Sequence, residues 1–279
     1  MDKITNYLII SMKRSGQHGV INWLGQQFEN NSLHYNHCNK GWGNLELKPM
    51  HNNMVIYYDN INKNVTNYFM DYKIDPIKAR SLETKLNNTK FNNIVSKFYN
   101  IEDLSLQDYM KNGMSNFTQM KNNGKVIIIL RDPFNFIASC LQRKKNPTGP
   151  NGNGTDVAVN IVSRLKIWTE HAKEITKEQS LLDKDFYFIN YNEWFSSEDY
   201  RKKICEDLDL NFTDRGLNSV VNYGHGSSFD REKFNGSAQN MNVLNRWEKF
   251  KDDDLYKSLL TNEIVELSEK IFNFNPLKK

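Results

Sequence analysis

The chain has 279 residues, of which 38% are hydrophobic and 25% charged, and it carries a formal net charge of +4. That length suits one large α/β domain spanning residues 1–279, and 16 Phe, 13 Tyr and 5 Trp supply enough core material to argue against disorder. The mild positive charge fits an enzyme that holds anionic ligands and is too weak to point to nucleic acid as a partner. The first predicted element is a buried strand, Tyr7 to Ile10, ending at Ser11. Lys13, Arg14, Ser15 and Gly16 then make a turn, and Val20, Ile21, Trp23, Leu24 and Phe28 recur at helical spacing. A strand, a basic glycine-containing loop and a helix in that order build a phosphate cradle: loop N–H groups and the helix N-terminus face the anion and the cations neutralise it. The plainer alternative is an ordinary βα turn with solvated Lys and Arg. The loop is not a Walker A element, because Gly16 is followed by Gln17 and His18 rather than by Lys and Ser or Thr.

Residues 30–53, with HYNHCNKGWGN at their centre, read as loop structure near a ligand cleft. His34, His37, Cys38 and His51 fit no common zinc spacing, and no metal site is expected. Met54 to Tyr58 is predicted as a strand and residues 60–92 as a polar helical region. Ile94 to Tyr99 is a further predicted strand, with Glu102 and Asp103 just past its C-terminal end, where open α/β sheets place their ligands. The alternative for this pair is that it starts the next helix, where carboxylates meet the macrodipole favourably.

Val126 to Leu130 reads as a central strand with Arg131 at its end; Pro133 opens a helix carried by Phe134, Ile137, Ala138 and Leu141. Arg131 and Ser139, eight apart, would give a forked donor and a hydroxyl to one phosphate, or else belong to a structural ion pair. Residues 146–155, NPTGPNGNGT, are a lid or a surface loop, followed by a long amphipathic helix from Asp156. Asp185 to Asn190 is a strand that delivers Tyr191; Ser197 caps a helix with an apolar row at Tyr200, Ile204 and Leu208 and a basic face at Arg201, Lys202 and Lys203. A Gly- and Ser-rich loop over residues 224–240 precedes two predicted helices, 242–250 and 255–272.

In this order the motifs resemble those of the sulfotransferases. Arg14, Ser15 and Gly16 match that family's 5′-phosphosulfate loop, and Arg131, Asp132, Pro133 and Ser139 are similar to its 3′-phosphate motif. Tyr191 and the run Ser227, Ser228, Phe229, Asp230 look like its two adenine-contacting elements. The resemblance implies a P-loop NTPase-like sulfotransferase fold, α/β with a mainly parallel sheet and helices on both faces. It implies transfer of a sulfuryl group from 3′-phosphoadenosine 5′-phosphosulfate (PAPS) to an acceptor hydroxyl or amine, leaving adenosine 3′,5′-bisphosphate, with no metal required. Lys13, Arg14, Ser15, Gly16, Gln17, His18, Arg131, Ser139, Tyr191, Ser228 and Phe229 would hold the nucleotide. Arg14, assisted by His18, would stabilise charge on the leaving phosphate. Glu102 is chosen as the base, on the expectation that its strand runs beside the Arg131 strand; His34 and His37 are the competing choices.

The sequence departs from the family at Gln17 and His18, where hydroxyl residues are usual, and at Gly19, where cytosolic members have an adenine-stacking Trp. It lacks their Arg-Lys-Gly 3′-phosphate loop, leaving Arg231 or Arg246 as substitutes. A phosphotransferase and a catalytically inactive nucleotide- or glycan-binding module of the same fold are the rival readings. The polar, aromatic 30–53 segment favours a glycan acceptor. Three scattered cysteines (Cys38, Cys140, Cys205), no apolar signal core before the first strand and no membrane-length apolar stretch lead to the expectation of a cytoplasmic protein without membrane contact.

Overall fold

The computed structural model of the chain describes residues 4–36, 38–40, 47–49, 53–70, 94–111, 124–145, 157–182, 184–221 and 226–278. The apolar run after Thr5 forms β1 (Thr5–Ser11), whose Leu8, Ile9 and Ile10 are wholly buried, as a strand covered on both faces requires. Helix α1 (Gln17–Gly25) leads to β2 (Asn31–Tyr35), a small hairpin of β3 (Cys38–Lys40) and β4 (Leu47–Pro49), and then β5 (Asn53–Asp59) and β6 (Asn64–Met70). After β7 (Ile94–Glu102) come α2 (Leu106–Lys111), β8 (Gly124–Leu130), α3 (Pro133–Lys145) and α4 (Val157–Ile175). The chain continues through β9 (Phe186–Asn190), α5 (Tyr191–Ser196), α6 (Glu198–Leu208), α7 (Asp254–Leu259) and α8 (Asn262–Phe272).

Among the described residues the main sheet has seven strands in the order β6-β5-β2-β7-β1-β8-β9. From β2 to β9 the pairing is parallel throughout, while β5 and β6 extend the sheet as an antiparallel hairpin. Side chains of β1 and β8 alternate between two cores. Tyr7, Ile9, Ile127 and Ile129 pack against α1, α5 and α6, whereas Leu8, Ile10, Val126 and Ile128 face the side of α2. A further core joins α3 and α4 to α7 and α8 through Leu165, Trp168, Tyr256 and Ile264. The architecture is thus the expected mainly parallel sheet with helices on both faces.

The chain leaves β1 towards β2 on one side, and β8 enters on the other, so strand order reverses at β1 and a crevice opens at the C-terminal strand ends. Register fixes which residues meet there: Ser11 is opposite Glu102 and Leu130 opposite Asn190.

Several local expectations are corrected. Residues 31–35 are a buried strand rather than loop, with Ser32 donating to Gly25 O at 2.8 Å and Asn31 Oδ1 accepting Asn60 N–H at 3.0 Å. Residues 64–70 form a strand instead of a helix; residues 71–93 and the proposed lid at 146–155 lie outside the described residues. Helix α1 ends at Gly25, before Phe28, because the chain turns there against Tyr58, whose ring would lie 2.4 Å from an added Cβ. Glu102 is the last residue of β7 and Asp103 has φ +53°, so neither starts a helix. Nor does β7 lie beside β8, since β1 separates them. The predicted helix at 242–250 is a 3₁₀ turn over Arg246–Phe250, and the last predicted helix is broken where Thr261 caps α8 by accepting Ile264 N–H. No helix among the described residues is long and apolar enough to cross a membrane.

On the predicted basic face of α6, Arg201 differs from its exposed neighbours Lys202 and Lys203. It is buried, and its Nε and Nη2 donate to Asp214 at 2.8 and 2.9 Å while Nη1 donates to Trp194 O at 2.9 Å. Trp23 Nε1 donates to the same carboxylate at 2.8 Å, so one ion pair ties α1, α5 and α6 together. Asp214→Ala strands a buried guanidinium and an indole donor, and is expected to cost about 3 kcal/mol in urea denaturation. Lys202→Ala, which removes an exposed pair with Glu198, should leave the midpoint unchanged. Equal midpoints for the two variants would show that the Arg201–Asp214 pair does not hold these helices.

Candidate active site

The loop after β1 is shaped by two left-handed residues, Arg14 at φ +72° and Gly16 at φ +85°. Ser15 stabilises the curl by donating from both N and Oγ to Met12 O, at 3.2 and 2.7 Å. Arg14 in that conformation costs about 1–2 kcal/mol, the kind of strain that persists where the surroundings enforce it. Enforcement comes from Asp103, whose Oδ1 accepts Lys13 N–H at 3.0 Å, whose N–H donates to Ser11 O at 2.9 Å, and whose Oδ2 pairs with Arg164 at 3.2 Å. Gly16 is the N-cap of α1 and gives it no side-chain hydrogen bond, so the first-turn N–H groups present the positive end of the helix to the loop. Tyr191, the first residue of α5, lies directly over Gly16: a Cβ there would sit 2.3 Å from its ring. Burial pushes the Arg14 guanidinium below its usual range, and the neighbouring charge of Arg143 adds to the effect.

Beside the loop, polar groups form a continuous buried chain. Ser11 Oγ donates to Asn100 Oδ1 at 2.7 Å, and Asn100 Nδ2 donates to Asn36 Oδ1 at 3.4 Å. His18 Nε2 lies 3.1 Å from Asn36 Oδ1 and 3.2 Å from Glu102 Oε1. Gln17 Nε2 donates to the same Glu102 oxygen, and its own Oε1 lies 3.2 Å from Ser15 Oγ, whose proton is directed mainly to the nearer Met12 O.

Two further guanidiniums stand across Tyr191. Arg131 is 1% exposed; its Nη1 donates to Ser139 Oγ at 3.2 Å, its Nη2 to Val243 O, and its carbon lies 5.0 Å from the Tyr191 ring centre. Its Nε is buried without a hydrogen-bond partner. Arg246 donates from Nη2 to Ser227 Oγ at 2.7 Å and to Asp230 Oδ2 at 3.0 Å. Burial pushes its pKa down to about 10, and the charge of Arg131 is the next cause. The carboxyl of Asp132 is held above its usual range by burial, opposed by Arg131 and by the Asn135 N–H at 2.8 Å.

The loop, His18, Glu102, Tyr191 and the two guanidiniums border one cleft of about 380 Å³. Lys13, Arg14, Arg131 and Arg246 supply its cations, and Trp194, Phe195, Leu217, Met241 and Val243 its apolar wall. Of the residues expected at the site, Lys13, Arg14, Gly16, Gln17, His18, Glu102, Arg131, Tyr191 and Ser228 border the cleft. Ser15 and Ser139 are buried behind it, holding the loop and Arg131. Phe229 does not border it: its ring packs edge-on to Phe250 and lies under Arg246, 4.7 Å away. His34 is buried in β2 away from the cleft, and His37 and His51 lie outside the described residues. Between the two candidate substitutes for the missing basic loop, Arg246 borders the cleft and the exposed Arg231 does not. The apolar wall went unread in the sequence. Trp194 reaches within 3.5 Å of where a Gly19 Cβ would be, so an indole arrives from α5 at a position whose own residue has no side chain. Among the described residues no group of three or more His, Cys, Asp or Glu is arranged to hold a metal ion.

Among solved structures, the sulfotransferase domain of the Synechococcus PCC 7002 olefin synthase aligns with a TM-score of 0.53 at 13% identity, over 99% of this chain and 97% of that one. The sulfotransferase domain from the curacin biosynthetic pathway gives 0.45 at 13% identity over 97% and 98% of the two chains. A mouse sulfotransferase complexed with PAP gives 0.47 at 12% identity over 98% and 88%. The first of these likenesses, extending over nearly the whole of both chains, shows that the fold is of the sulfotransferase type. No protein-family model and no curated protein matches the sequence.

The contact of Tyr191 with Gly16 makes the loop testable without any ligand. Gly16→Ala adds a Cβ to a left-handed residue and drives it into the ring, for a loss of about 2–4 kcal/mol. In a Tyr191→Ala background the same change should cost only the backbone share, about 1–2 kcal/mol. Urea denaturation of the four members of this cycle measures the coupling. Strictly additive losses would show that the ring does not exclude a side chain at position 16.

Proposed function

We propose that the chain is a PAPS-dependent sulfotransferase acting on a hydroxyl or amine. The observation that carries this reading is the distribution of charge in the cleft: one cationic group at Lys13, Arg14 and the start of α1, a second at Arg131 and Arg246, and an apolar wall bordering the same space. A ligand with two separate anionic groups and a flat base has the matching chemistry. A 3′-phosphate beside Arg131 and Arg246 would relieve the repulsion between two buried guanidiniums and give the Arg131 Nε–H an acceptor. The 5′-phosphosulfate belongs to the loop and the helix N-terminus, as anions do at such ends. The volume is within the range of small-molecule sites.

In this mechanism the acceptor oxygen attacks sulfur as the bond to the 5′-phosphate breaks, and charge grows on the bridging oxygen. Arg14 and the first-turn N–H groups of α1, which border the cleft, would stabilise that charge in a partly water-excluded site, where such stabilisation is most effective. The acceptor proton leaves towards the pair formed by His18 and Glu102. A glycan is the proposed acceptor class, on the polar and aromatic character of residues 30–53, of which Asn36 reaches His18.

Calorimetric titration with adenosine 3′,5′-bisphosphate, ATP and adenosine 5′-phosphate, followed by an acceptor screen with labelled PAPS, tests the reading. The bisphosphate should bind best, and transfer should occur. Preference for ATP would favour a phosphotransferase, and binding without transfer to any acceptor would favour a non-enzymatic module. Arg14→Ala is expected to lower turnover by about 10²-fold or more, with bisphosphate affinity changed only a few-fold. Arg246→Ala should weaken the bisphosphate by about 10-fold or more while sparing adenosine 5′-phosphate, since the charge-assisted bonds it loses serve the 3′-phosphate. Equal losses for both nucleotides would overturn that assignment.

A further inference from the structure

We infer that His18, and not Glu102, takes the proton from the acceptor, and that Glu102 is the buried carboxylate that sets the tautomer of His18 and holds its charged form. This rests on the sulfuryl-transfer reading above and gives His18 the base role assigned to Glu102 from the sequence.

Accessibility separates the two groups first. Both border the cleft, but the Glu102 side chain is 2% exposed and that of His18 is 18% exposed. A base must come within hydrogen-bond reach of the proton it takes, or act through one water. Glu102 Oε1 is also already engaged by Gln17 Nε2 and His18 Nε2.

The hydrogen-bond chain then fixes the state of His18. Its Nε2 faces two oxygens, Glu102 Oε1 at 3.2 Å and Asn36 Oδ1 at 3.1 Å. The Asn36 amide is held against flipping, because its Oδ1 also accepts from Asn100 Nδ2, and Asn100 is oriented by the Ser11 hydroxyl on its Oδ1. Two acceptors require a donor between them, so the neutral ring carries its proton on Nε2 and its basic lone pair on Nδ1. Gln17 Nε2 donates to the same Glu102 oxygen from the first turn of α1.

Lys13 and Arg14 on the same loop and the N-terminal end of α1 border the same cleft. Glu102, at the end of β7, is the carboxylate whose Oε1 lies 3.2 Å from the ring, while Asn36, Asn100 and Gln17 are uncharged. In the transfer step the acceptor O–H bond breaks and its proton goes to Nδ1. The oxygen pair forms the new bond to sulfur, and the pair of the breaking S–O bond leaves on the 5′-phosphate of the bisphosphate. The resulting imidazolium donates from Nε2 to the Glu102 carboxylate as a charge-assisted hydrogen bond.

Histidine NMR titration of the whole chain reads the pair without turnover. The His18 resonance is assigned by its loss in His18→Asn, and it is followed in the wild type and in Glu102→Gln with adenosine 3′,5′-bisphosphate present. Removing the anion should lower the His18 pKa by about one unit, since a nearby opposite charge favours the charged form. An unchanged value overturns the inference. With PAPS and an acceptor, kcat/KM should rise with pH as His18 loses its proton, and Glu102→Gln should move that limb to lower pH while retaining about a tenth of the turnover. His18→Asn should lose about 10²-fold or more. Glu102→Gln inactive beside His18→Asn near the wild-type rate overturns the assignment of the base to His18. Absence of transfer from PAPS to any acceptor by the wild type refutes the proposed function instead, and the titration still decides independently whether Glu102 holds the charged form of His18.

Discussion

A single close approach organises the site: the Tyr191 ring on the α-carbon of Gly16. It is possible only because position 16 is a left-handed residue without a side chain, and it clamps the turn after β1 against the start of α5. The same ring lies against the guanidinium of Arg131 at the end of β8. Loop, ring and guanidinium are therefore stacked in one order, which sets the spacing between the two cationic groups of the cleft. Asn190, the N-cap of α5, accepts N–H bonds from Asn192 and Glu193, so the helix start that carries Tyr191 is itself fixed. What a ligand would meet is thus decided by backbone geometry before any side chain of the cleft adjusts.

Around that clamp the fold spends burial on polar groups. Ser11, Asn36 and Asn100 are nearly or wholly inaccessible, although their positions at strand ends could have been apolar. Such groups are costly when unpaired, and in a medium of low dielectric a satisfied network gains rigidity in proportion. Here the network orients amides, and the amides orient His18 and Glu102. The Arg201–Asp214 pair acts in the same way one layer further out, because its third donor bond ends on the carbonyl of Trp194 in the apolar wall. Specific placement rather than net stability is what these buried polar contacts supply.

Legibility in the sequence followed the same division. Strands β1 and β8 were visible because a strand covered on both faces must be a continuous apolar run, and the basic loop was visible because its glycine and cations are adjacent in the chain. Arg131 and Ser139 were found as a pair, since the strand-to-helix turn fixes their separation. By contrast β2, Asn-Ser-Leu-His-Tyr, hides its burial behind polar side chains, of which Asn31 and Ser32 are paired with the β5–β6 turn and with α1. Strand β6 sits at the sheet edge and begins with exposed residues at Asn64, Val65 and Thr66, so its start carries no apolar run. Arg246 is 115 residues beyond Arg131 and meets it through the fold alone, which no local pattern encodes.

Gly19 shows what position-by-position matching leaves out of a cleft wall. An aromatic side chain at position 19 would occupy the cleft wall, and its absence reads in the sequence as the loss of a contact. In the structure that space is bordered by Trp194, which is held by its neighbours Trp23 and Tyr191 at ring separations of 6.1 and 5.6 Å. A methyl group at position 19 would just touch that indole and a longer side chain would press on it, so the small residue and the large one form a single fitted pair. A cation reaches the cleft in a comparable way, for Arg246 enters from a 3₁₀ turn and is held by Ser227 and Asp230. A cleft is defined by what fills each part of its wall, and different elements can supply the same chemistry once the sheet has set the distances between them.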